Sequence, residues 1–144
     1  MSVSSRVVAS VEGVATKPFR VRVAVAAVAA SVANLLVLAV ALLLELAPGF
    51  RPLAPAPIVF LTVLGVVGAD AVYAFLDQRT DAGHDLFRTV ALAVLVVSFV
   101  PDFALLALDP AATTLGVLAL VVMHVVVAAI CLAFVPGDAP KIPV

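Results

Sequence analysis

Tryptophan is absent from this 144-residue chain, and cysteine and tyrosine occur once each, as Cys131 and Tyr73. A single cysteine excludes an intrachain disulfide, and without a CxxC pair or a Cys/His cluster there is no structural zinc site to expect. Charge is equally scarce: only 12% of residues are Asp, Glu, Lys or Arg, and the formal net charge is -1. No basic face is left for nucleic acid. HExxH, GxSxG and glycine-rich phosphate loops are all missing, so nothing nominates a catalytic residue, a metal or a cofactor, and the expectation is a protein that is not an enzyme. Of the two histidines, His84 lies in a polar stretch and His124 in an apolar one. A bis-histidine haem in a membrane would need two at depth.

What the chain has instead is apolar surface, with 65% hydrophobic residues and a mean hydropathy of +1.32. A globule of this size cannot bury so much valine, leucine and alanine within itself, so the excess must meet another apolar medium, the lipid bilayer. Four runs are long enough to cross one. They predict an all-α fold, an integral membrane four-helix antiparallel bundle, with helices over about 20–46, 57–76, 86–108 and 110–135. Each covers the ~30 Å hydrocarbon core at about 1.5 Å per residue. Strands of a barrel would be shorter and would alternate in polarity.

The remaining segments organise around these runs. Residues 1–18 read as a mobile or membrane-surface N-terminal tail, residues 19–136 as the transmembrane domain, and residues 137–144 as a C-terminal tail. A cleaved signal peptide is the rival for the first run, but the uncharged stretch from Val23 to Leu44 exceeds the roughly 7–15 apolar residues of such a segment. The proline-dense stretch 47–57 predicts an extended connector. Asp109 and Pro110 predict an N-cap and first-turn proline for the last helix. With the N-terminus inside, Arg6, Lys17, Arg20, Arg22, Arg79, Arg88 and Lys141 are cytoplasmic and only Arg51 is outside. The positive-inside rule therefore predicts both termini in the cytoplasm, with the protein in the cytoplasmic membrane.

Polar residues inside the runs are few, and on a helical wheel each helix gathers them on one stripe. Asn34 and Glu45 share a face of the first helix with Ala27, Ala30 and Ala41; Asp70, Tyr73 and Asp77 align on the second; Arg88, Ser98, Asp102 and Asp109 on the third; and Thr113, Val117, His124 and Cys131 on the fourth. Unpaired polar groups in hydrocarbon cost several kcal/mol, so the four stripes should face a shared interior. Counting rise from the expected entries puts Asp70 and His124 at one level, roughly 18–20 Å from the outer surface, and Asn34 with Asp102 at a second. Asp70 and His124 are candidate partners, either a proton-titrating site or a hydrogen bond that fixes helix register. Pro101 should kink or end the third helix just before Asp102, and Gly65, Gly68 and Ala69 form a smooth patch for a neighbouring helix or a second copy.

The second run TVLGVVGADAVYAFL, the basic loop that follows, Arg88, Ser98, Pro101 and the last run ATTLGVLALVVMHVVVAA resemble a family of short prokaryotic four-helix membrane proteins of unknown function, over about residues 20–135. The resemblance implies a compact membrane bundle and brings no activity or site residue with it. Two functions then compete. One is an accessory or structural protein that binds lipid, a second copy or another membrane protein. The other is a small proton- or cation-coupled transporter using Asp70 and His124. Small multidrug exporters are also four-helix proteins, but they carry a carboxylate in mid-first-helix where this chain has Asn34.

Overall fold

A computed structural model describes residues 3–15 and 18–137. It is all-helical, with no strand among the described residues: α1 (Val3–Ala15), α2 (Phe19–Leu43), α3 (Pro55–Asp77), α4 (Gly83–Leu108) and α5 (Thr114–Phe134). The last four are the membrane-length apolar helices. They form a ring in which α2 lies against α3 and α5, and α4 against α5 and α3, while α3 also touches α5 across the diagonal. Among the described residues α2 and α4 do not meet. Helix α4 is the outermost member, since only 6% of its most apolar stretch is buried, against 28% for α5.

Several boundaries differ from the sequence expectation. Residues 3–15 form a helix, where only a mobile or membrane-surface tail was expected; the overlooked signal is Val3, Val7, Val11 and Val14 at helical spacing. Lys17 and the C-terminal residues 138–144, including Lys141, lie outside the described residues. Helix α5 starts four residues later than expected. Its N-cap is Thr113, whose hydroxyl accepts from the backbone N–H of Gly116 at 2.9 Å. Asp109 instead ends α4, and its Oδ1 accepts from the Ala111 N–H at 2.9 Å to turn the short connection. Helix α4 runs through Pro101 without ending. One lost backbone hydrogen bond is tolerated where the chain has no water to turn toward.

The proline-dense stretch is a folded cap and not an extended connector. Glu45 (φ 49) and Gly49 (φ 79) reverse the chain, backbone bonds from Leu46 to Ala41 and from Leu53 to Phe50 close tight turns, and Phe50 and Leu53 are buried. They join Leu38, Ile58, Leu120 and Met123 in an apolar cluster at this end of the bundle. A second cluster, with Ala26, Ala30, Val66, Tyr73, Phe87, Cys131 and Val135, fills the other end. Along α2 the buried residues Arg22, Ala26, Ala30, Asn34 and Leu38 recur every fourth position. Alanines in that row let α3 and α5 approach the α2 backbone closely.

The Thr113 hydroxyl also donates to the Leu46 carbonyl, tying the α4–α5 connection to the proline cap. Gly116 sits in the same contact, and a Cβ there would come within 2.5 Å of Ala47 Cβ. By contrast, a Cβ on Gly68 would meet nothing within 4 Å. Gly116→Ala is therefore expected to destabilise the protein by about 1–3 kcal/mol, as overpacking does, while Gly68→Ala leaves it unchanged or adds about 0.4–1 kcal/mol. Thermal melts of the two variants in detergent check this. Equal melting temperatures would mean that the cap does not pack on α5.

Candidate functional site

Between the two apolar clusters lies a belt of polar side chains. The Asn34 amide Nδ2 donates to Thr62 Oγ1 at 2.9 Å, joining α2 to α3. Both residues are buried. Four-residue spacing places Thr62 between Ile58 and Val66 on the buried row of α3, just as Asn34 stands between Ala30 and Leu38 on α2. On the other side of the ring His124 Nδ1 lies 3.0 Å from Asp102 Oδ2, joining α5 to α4. The same nitrogen is 2.9 Å from the Leu120 carbonyl one turn back. A carbonyl only accepts, so His124 Nδ1 carries a hydrogen and donates it to Leu120.

This pairing departs from the one expected, in which Asp70 meets His124 and Asn34 meets Asp102. The second pair is barred by topology, because α2 and α4 do not touch. The first fails on depth. With α3 starting at Pro55 and α5 at Thr114, Asp70 lies roughly 22 Å along its helix and His124 roughly 15 Å along its own. Side chains also lean toward the N-terminus of their helix, so His124 on α5 and Asp102 on the antiparallel α4 lean toward each other. A four-residue error in one helix start, about 6 Å of rise, was enough to exchange the partners.

Asp70 belongs to the opposite end of the bundle. The cation whose field reaches its carboxylate is Arg22, which is 1% exposed in the first turn of α2 and lies over the Phe19 ring, 5.5 Å from its centre. Against that guanidinium packs Gly137, where a Cβ would overlap Arg22 Nη1. The Tyr73 hydroxyl donates to the Gly137 carbonyl at 2.8 Å and accepts from its N–H at 3.0 Å. Its ring meets Phe87 edge-on, with centres 5.2 Å apart. Arg22, Tyr73 and Gly137 thus anchor the chain after α5 to α2 and α3.

Sequence reasoning overlooked Thr62 and Arg22. The signal was present, since 58, 62, 66 and 70 share one row on α3, and 22, 26, 30 and 34 share one on α2. Glu45 is exposed, as expected for a solvated interfacial residue. Asn34 Oδ1, Asp70 Oδ1 and Asp102 Oδ2 are buried without a hydrogen-bond partner, so Asp102 meets His124 as a close charge contact and not through a formed hydrogen bond. No group of three or more His, Cys, Asp or Glu is disposed to hold a metal among the described residues.

Four membrane-length apolar helices joined at mid-depth by polar contacts define a multi-pass integral membrane protein. The chain belongs to a family described only as a family of unknown function (DUF6069), whose model matches residues 14–141. That span takes in the whole four-helix bundle and leaves out most of α1. No curated protein and no solved structure matches it.

If the belt ties helices together, its contacts should be energetically coupled. Double-mutant cycles of Asn34→Ala with Thr62→Val, and of Asp102→Asn with His124→Ala, are expected to give coupling of about 0.6–2 kcal/mol within each pair. The cross pair Asp70→Asn with His124→Ala should be additive. Coupling in the cross pair and none in the others, read from denaturant titrations in micelles, would reject these partners.

Proposed function

We propose that this protein is a non-catalytic bundle of the cytoplasmic membrane, with both termini on the cytoplasmic side, that serves a structural or binding role toward lipid, a second copy or another membrane protein. The observation that carries the reading is the pairwise use of the intramembrane polar groups. Asn34 is taken up by Thr62 and Asp102 by His124, on different helix pairs of the ring. Asp70 lies under the field of Arg22 at one end. A proton or cation relay needs groups that hand a charge on from one face to the other. Pairs shared between adjacent helices instead fix register and hold the ring closed. Orientation rests on the arginines: Arg20, Arg22, Arg79 and Arg88 flank one end of the bundle and Arg51 the other.

Reconstitution in liposomes separates this role from transport. Proton and monovalent-cation flux across an imposed gradient is measured for the unaltered protein, Asp70→Asn, Asp102→Asn and His124→Ala, with melting temperatures alongside. The proposed role predicts flux no higher than in empty liposomes, and lower melting temperatures for the Asp102 and His124 variants. Flux in the unaltered protein that disappears in those variants at unchanged stability would overturn it.

A further inference from the structure

The ring of four helices leaves α1 without a role. Its 13 residues cover about 20 Å, short of the ~30 Å hydrocarbon core, so it is no fifth span. Nor is it a helix that stands alone. Helices of this length are marginal in water even when rich in alanine, and α1 contains five valines, three serines and a glycine. Some surface must receive it.

The bundle does so only in part. Helix α1 touches α2 and α5, yet every residue from Val3 to Ala9 is exposed, Val3 at 80% and Val7 at 57%. The valines belong to one side of the helix. At about 100° per residue, Val3, Val7, Val8, Val11 and Val14 fall within an arc of about 140°, which Ser4 and Ala15 share, while Ser5, Arg6, Ala9, Glu12 and Gly13 lie outside it. The chain itself fixes what is nearby. Helix α2 begins at Phe19, and its exposed apolar side starts at Val21 and continues through Val28 and Val32. That side meets lipid, so the valine arc stands beside the edge of the bilayer, at the end flanked by Arg20, Arg79 and Arg88.

We propose that α1 lies in the boundary between headgroups and acyl chains of the leaflet at this end, with its valine arc in the lipid and Ser5, Arg6 and Ala9 toward water. Burial of valines that the protein leaves uncovered drives it. Charge adds little, because the helix carries one Arg and one Glu and so has no net attraction of its own for anionic headgroups. Lipid fits this arc better than a protein partner does. Protein interfaces are anchored by aromatic and arginine side chains and make little use of valine, whereas acyl chains ask for no matching shape. Insertion also accounts for a helix built from poor helix formers, since backbone groups with little water around them must bond to one another. The proposal rests on the bundle spanning a membrane and not on the role assigned to that bundle.

Nitroxide scanning of the full chain in phosphatidylcholine bilayers tests the placement, with one labelled cysteine at a time from position 3 to position 15 on a Cys131→Ser background. Collision with oxygen, which concentrates in lipid, should peak at positions 3, 7, 11 and 14, and collision with a water-soluble nickel chelate at 5, 9 and 12. The two curves then repeat about every 3.6 residues in opposite phase. Val7→Asp, read through labels at positions 3 and 14, should abolish the oxygen peaks while the melting temperature of the bundle stays the same. Adding phosphatidylglycerol should leave both curves unchanged. Four results would overturn the proposal: curves in phase or without a period, as for a helix or coil in water; a valine side closed to both reagents, as under a second copy or a partner; oxygen peaks that survive Val7→Asp; or oxygen peaks that need phosphatidylglycerol. None of these outcomes bears on flux, so the structural role stands or falls separately.

Discussion

Hydrocarbon provides no hydrogen bonds, and that one condition governs most of what this chain does with its few polar side chains. Each must find its partner in the protein or lie at an end where water reaches it. Asn34 and Thr62 meet between α2 and α3, and Asp102 and His124 between α4 and α5. Apolar clusters fill the bundle above and below them. Leucine and valine pack as well against lipid as against a neighbouring helix, so these side chains alone set no register. The polar belt supplies it, because sliding either helix pair by one turn would strand a polar group among methyls.

The two ends are closed by different means. At one, the proline cap turns back on itself and drives Phe50 and Leu53 into the bundle, while the Thr113 hydroxyl bonds to Leu46 across the gap between connections. At the other, the chain after α5 folds under Tyr73 and against Arg22, and a Cβ at position 137 would overlap that guanidinium unless Arg22 moved. Arg22 is buried in the first turn of α2 with the Phe19 ring against its guanidinium. Helix α4 is held mainly through Asp102 and Phe87 within its length and turns its valines and leucines outward to lipid.

Membrane class, the number of membrane-length helices and their approximate spans were legible because length and hydropathy alone determine them, and the membership in a family of unknown function agrees with the resemblance carried by the second and fourth apolar runs. Asn34, Asp102 and His124 stand out in the sequence as polar side chains in apolar runs and lie in the belt, whereas Asp70 lies apart from it and Thr62 escaped the sequence reading. The partners of these residues were not legible. Pairing depends on which helices are adjacent, and no wheel tells that α2 and α4 stand apart. It depends equally on where each helix begins, and Thr113, one of several turn-forming residues after Leu108, took the cap that Asp109 seemed suited to. Thr62 escaped notice because a threonine in an apolar run looks like an ordinary β-branched residue until its row is drawn beside that of Asn34. Folding of the proline-rich stretch into a cap rests on Phe50 and Leu53 finding the bundle, which is a tertiary matter that local propensity for extended backbone does not anticipate.

Solid-state NMR of the protein in bilayers, with labelled histidine side chains and aspartate carboxyls, would observe the belt directly. The geometry predicts a hydrogen on His124 Nδ1 and a through-space contact from Nδ1 to the Asp102 carboxyl. A contact from His124 to Asp70 instead, or a hydrogen on Nε2 with no carboxyl nearby, would contradict the arrangement on which the fold is argued to depend.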